Sequence, residues 1–168
     1  VRTRGDLNLL CESKFGIKFF RQNERATNDI RKTCNTEEEF NNRIMSLALL
    51  IGEIETQGIQ KLIRRGKPRQ GSINVLEAFL NEYYPDYDRQ ILKDLRRIVV
   101  LRSKKYPIHR GDPAFMDSLN YFGFTEFPPD WQDLWKVILQ RYSDSLKTLV
   151  SVIASAQYVM QGKEKEKK

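Results

Sequence analysis

At 168 residues the chain can bury one hydrophobic core and is too short for two ordinary domains. Hydrophobic residues at 40% and charged residues at 30% exclude a wholly disordered polypeptide, and the longest strongly apolar run, Leu47 to Ile51, is far below the roughly 18 residues that span a bilayer. No charged-then-apolar leader pattern opens the chain, so a cytoplasmic protein without membrane contact is expected. The net charge of +7, from 29 basic and 22 acidic residues, would draw a polyanion, and equally suits a solvated basic surface.

Phe15, Ile17, Phe19 and Phe20 suggest one buried patch, followed by a polar stretch from Arg21 to Asn35; residues 1–35 are expected to form short helices. Thr36 and Glu39 have the spacing of a capping box, and Glu37 and Glu38 fall where the helix dipole favours acids, so a long helix is predicted to begin here. Its inward face runs through Phe40, Ile44, Leu47, Ile51 and Ile54 to Ile59, Leu62 and Ile63, with Gly52 and Gly58 as points of bending or close approach. Gly66, Pro68 and Gly71 break the pattern, and Ser72 is a candidate cap for a helix that turns Ile73, Leu76, Phe79 and Leu80 inward and stops before Pro85.

Asp86 or Asp88 restarts the chain. Ile91, Leu95 and Ile98 form the next stripe, and Arg102, seven residues after Leu95, continues it. Asp112 followed by Pro113 marks another helix start, and Asp130 opens a long final helix whose inward residues include Trp131, Leu134, Trp135, Ile138, Tyr142, Leu146, Leu149 and Ile153. With no alternating strand pattern, the predicted fold is an all-α helical bundle over 36–161, preceded by the 1–35 segment and followed by a charged tail, 162–168.

Cys11 and Cys34 make neither a C-x-x-C pair nor a ligand set with His109, the only histidine, so reduced thiols are expected and no metal or cofactor. Basic residues cluster twice: Lys61, Arg64, Arg65, Lys67 and Arg69, then Arg96, Arg97, Arg102, Lys104, Lys105 and Arg110. The second cluster surrounds His109. A loop after Pro107 can return His109 to the end of the helix that carries Arg102, a pairing suited to phosphodiester cleavage. Imidazole exchanges protons near neutral pH, whereas guanidinium stays charged and grips phosphate oxygens through paired hydrogen bonds.

A helical bundle with Arg102, six intervening residues and His109 at a helix-to-loop junction resembles the HEPN superfamily (higher eukaryotes and prokaryotes nucleotide-binding). The resemblance implies an RNA-binding domain and a metal-independent endoribonuclease of a toxin–antitoxin, antiviral defence or RNA-processing system. It also implies a homodimer in which two motifs meet, and an antitoxin or partner domain. Arg102 and His109 are the implied catalytic pair, with Lys104, Lys105, Arg110, Arg97, Arg64 and Arg65 as candidate RNA contacts; where many members carry Asn, Asp or His after the arginine, this chain has Ser103.

Two other readings compete. Arg102 equally suits an ion pair with Glu53, Glu55 or Asp94, leaving a non-catalytic helical interaction or regulatory module, part of a larger protein. A helix-turn-helix DNA-binding domain fits less well, because the basic residues gather at a helix end and not along one recognition helix.

Overall fold

The computed structural model describes residues 2–66, 68–102 and 112–155. Among them are eight helices and no strand: α1 (Arg2–Phe15), α2 (Glu24–Asp29), α3 (Glu37–Gly52), α4 (Thr56–Leu62), α5 (Ser72–Tyr83), α6 (Gln90–Arg102), α7 (Pro113–Tyr121) and α8 (Trp131–Ala154). The fold is an all-α bundle, as the periodicity predicts. Its caps are largely those written in the sequence. The Thr36 hydroxyl accepts the Glu39 N–H at 3.2 Å while the Glu39 carboxylate accepts the Thr36 N–H; Asp112 and Asp130 accept the N–H groups of Phe115 and Asp133. Ser72 is the first residue of α5 and not its cap: that place is taken by Gly71, whose φ of 110° disfavours any residue with a Cβ.

Helix α6 is central, packed against α3, α8, α7 and α5, while α1 lies along α8 and α2 along α3. Ile91, Leu92, Leu95, Ile98 and Leu101 of α6 are buried against Phe40, Ile44, Leu47 and Ile51 of α3 and Leu134, Ile138, Leu146 and Leu149 of α8. Trp135 is buried in the same core and meets Phe40 edge-on at 6.4 Å, with Trp131 at 5.2 Å from that ring.

Two departures from the sequence reading have clear causes. The expected short helices before residue 35 include one of 14 residues, α1, which buries Leu7 and Cys11 but leaves Leu9 69% exposed, so its apolar pattern is blurred. Its C-terminal Lys14 donates to the carbonyls of Ile153 and, at 3.2 Å, Ser155, placing a cation at the negative end of α8. The expected continuous helix from Thr36 is instead two, α3 and α4. The break comes where the backbone pairs with Phe19–Arg21: Arg21 N–H donates to the Glu53 carbonyl at 2.8 Å and Glu55 N–H to the Phe19 carbonyl at 2.9 Å. The Asn8 amide holds that extended partner, its oxygen accepting from Phe19 and Phe20 at 3.0 and 2.7 Å and its nitrogen donating to the Phe20 carbonyl at 3.1 Å.

Candidate functional site

Arg102, the last residue of α6, is exposed and lines an open groove of about 740 Å³ between α2, α3 and the end of α6. The groove also gathers Arg25 from α2 and Arg43 from α3. The carboxylates that could have neutralised Arg102 are engaged elsewhere. Glu55 holds Arg21 at 2.7 Å, Glu53 accepts from the Asn23 amide at 3.2 Å, and Asp94 is bound within the core. Among the described residues Arg102 has no ion-pair partner, and the Arg43 Nε is buried without a hydrogen-bond acceptor. The one acid of the groove among the described residues, Asp29, accepts from Lys32 at 2.6 Å and from the Ser46 hydroxyl at 3.4 Å. Three guanidinium groups against one already paired carboxylate make a cationic surface.

The lining of the groove also has an apolar part. Met45 and Leu49, one turn apart on the outward side of α3, are 52% and 47% exposed, and with Leu9 they are the exposed large hydrophobics among the described residues. These positions were legible as apolar residues off the buried stripe Phe40, Ile44, Leu47 and Ile51. Arg25 and Arg43 had no such signal, because only the packing of α2 on α3 brings them beside Arg102.

The other expected contacts are placed elsewhere. Arg97 lies over the ring of Tyr121, 5.5 Å from its centroid. Arg64 and Arg65 are exposed beyond α4, where their backbone N–H groups donate to the Glu82 carboxylate at 3.0–3.2 Å. None of the three lines the Arg102 groove. His109, Lys104, Lys105 and Arg110, with Ser103, Lys67 and the 162–168 tail, lie outside the described residues.

A second, smaller cleft of about 350 Å³ flanks the other side of α2, between α1 and the Phe20–Asn23 segment. Its wall includes Arg4, whose guanidinium sits 4.1 Å above the Phe20 ring centroid and donates to the Leu50 carbonyl, the Tyr142 hydroxyl and the Arg21 carbonyl at 2.8, 3.1 and 3.1 Å. The chain matches no protein-family model, no curated protein and no solved structure. Function therefore has to be read from these sites alone.

Two further chemistries are accounted for. Asp94, 4% exposed on α6, accepts from the Tyr121 hydroxyl at 2.5 Å, the Gln90 amide at 2.9 Å and the Ser145 hydroxyl at 3.5 Å, which ties α6 to α7 and α8. Burial, and then the Asp94 carboxylate, push the Tyr121 phenol up to about 12, so it remains a donor at neutral pH. Burial likewise raises the thiols of Cys11 and Cys34 to about 12 and about 11, which leaves both protonated and unreactive. Among the described residues no cluster of three His, Cys, Asp or Glu side chains forms a metal cradle, and no helix is long and apolar enough to cross a membrane.

Proposed function

We propose that this chain binds RNA through the groove between α2, α3 and α6, with Arg102, Arg25 and Arg43 on phosphate oxygens. The observation that carries the reading is the gathering of these three arginines around one groove whose only carboxylate among the described residues is already paired. Guanidinium is suited to this work because its fork of N–H donors matches phosphate geometry, and Arg102 has no ion-pair partner among the described residues.

Arg102 precedes His109 by the spacing that resembles the HEPN motif, and this extends the proposal to a metal-independent endoribonuclease of a defence, toxin–antitoxin or RNA-processing system. In that chemistry His109 removes the proton of a ribose 2′-hydroxyl, whose oxygen attacks the adjacent phosphorus, or returns a proton to the departing 5′-oxygen. Arg102 stabilises the charge that builds on the phosphate. Lys104, Lys105 and Arg110 extend the backbone contact. A homodimer would set two such motifs together, and an antitoxin or partner domain would regulate them.

Incubating labelled RNA with purified protein in EDTA tests both levels. Binding that weakens with salt, and products ending in a 2′,3′-cyclic phosphate, are expected; an inert protein that also fails to bind RNA at low ionic strength removes the proposal. The exposed pair Met45 and Leu49 favours a second reading, a non-catalytic module that docks a protein on the same groove. Retention of RNA binding without cleavage, together with capture of a partner that Met45→Ser abolishes, selects it.

A further inference from the structure

The arginine groove and the smaller cleft are continuous in one respect: Asn23 lines both, and α2 stands between them. Arg25, Ala26 and Asp29 face the groove, whereas Glu24, Thr27 and Asn28 face the cleft. Their chemistry is different. The groove presents Arg25, Arg43 and Arg102, which have no ion-pair partner among the described residues. The cleft presents amides, one acid in Glu24, and three arginines, of which Arg4 and Arg21 are engaged within the chain and Arg31 is exposed.

Arg4 is the informative residue. Both of its terminal nitrogens donate within the chain, to Leu50, Tyr142 and Arg21, and one face of its guanidinium covers Phe20. So engaged, it is a poor phosphate clamp. It is, however, a flat and immobilised cation on the wall of a cleft, which is what a nucleobase stacks upon. Gln22 and Asn28 are exposed on the same cleft and make no side-chain hydrogen bond among the described residues, so each offers a donor and an acceptor together. The amide of Asn23 is already used, by Ala26 N–H and Glu53. A volume of about 350 Å³ lies at the small end of ligand sites, near the size of one nucleotide.

We infer that this cleft is a nucleobase-recognition site: it takes one unpaired base of the RNA strand whose phosphates occupy the arginine groove, stacked on Arg4 and read at its edge by Gln22 and Asn28. The inference rests on the RNA reading above and adds to it a source of sequence preference, since amides read base edges while arginines on phosphates do not.

The test is fluorescence anisotropy with ten-nucleotide homopolymers of A, C and U carrying 2′-O-methyl groups, which lack the attacking hydroxyl, and with competing inorganic polyphosphate, which has no bases. The wild-type protein is expected to separate its best and worst homopolymer by about tenfold. Gln22→Ala combined with Asn28→Ala should bring the homopolymers within about twofold of one another and leave polyphosphate competition unchanged. Arg4→Lys, which keeps the charge and loses the plane, should weaken every homopolymer but not polyphosphate, in a protein shown by melting to be folded. Equal affinities in the wild type, or undiminished discrimination in the double variant, overturn the base site while the groove reading survives. Failure of the wild type to bind polyphosphate at low salt overturns the groove reading, and the base site with it.

Discussion

Asp94 and Arg102 stand eight residues apart on α6, about 12 Å along the helix axis, and they are treated in opposite ways. Asp94 is buried and accepts three hydrogen bonds from three directions, so its charge is compensated by the fold that surrounds it. Arg102 is exposed, with no ion-pair partner among the described residues, beside two more arginines. A buried carboxylate left unsatisfied would cost the fold directly, whereas an exposed guanidinium remains hydrated and available. The difference separates a polar group that holds helices together from one left open to solvent.

The largest effect expected lies on the ligand side. If the groove leads to cleavage, His109→Ala should slow it by about 100 to 10,000-fold without shifting the melting temperature, the loss typical of removing a general acid or base. Wild-type cleavage rates in that variant would detach catalysis from the groove and leave only binding.

Next is the electrostatic term. Three arginine–phosphate contacts on a single strand predict that affinity falls by about 20-fold between roughly 50 and 200 mM salt. Arg102→Ala should reduce the log–log salt slope by about 0.7, with Arg25→Ala and Arg43→Ala acting alike. Salt titration of RNA binding checks this, and a slope that none of the three changes would place the phosphates elsewhere.

The comparison can be sharpened on the stability side. Asp94→Ala leaves the Tyr121, Gln90 and Ser145 donors without their common acceptor and should cost about 1–3 kcal/mol in urea unfolding, while Arg102→Ala stays within about 0.5 kcal/mol. If both variants unfold at the same urea concentration, the contrast between the two residues disappears.

The smallest effect is at the surface. Hydrogen bonds from Arg21 and Lys32 hold the Glu55 and Asp29 carboxyls below the ordinary carboxylate range. Because the folded values are lowered, the stabilisation is present above the unfolded values and is lost as pH falls through the lowered ones, on the acid side of the ordinary carboxylate range. Glu55→Gln should therefore flatten the acid limb of the melting temperature slightly, and an unaltered limb would show that solvent already screens the Arg21 pair.

The amino-acid sequence by itself determined where most helices begin and which faces they bury. Thr36, Asp112 and Asp130 cap as written, since a capping side chain bonds to an N–H only two or three residues away. The apolar stripes of α3, α5, α6 and α8 were readable because local periodicity decides which side of a helix is apolar before any partner is known. Tertiary structure alone decided the rest. The split between α3 and α4 comes from pairing with Phe19–Arg21, more than 30 residues earlier in the chain. The sequence supplied Arg102 as a candidate and proposed Glu53, Glu55 and Asp94 as partners; only the packing shows each of those acids engaged elsewhere and Arg25 and Arg43 brought to its side. Charge and hydrogen-bonding capacity belong to a residue, but whether they are spent within the chain or left for a ligand depends on neighbours distant in sequence.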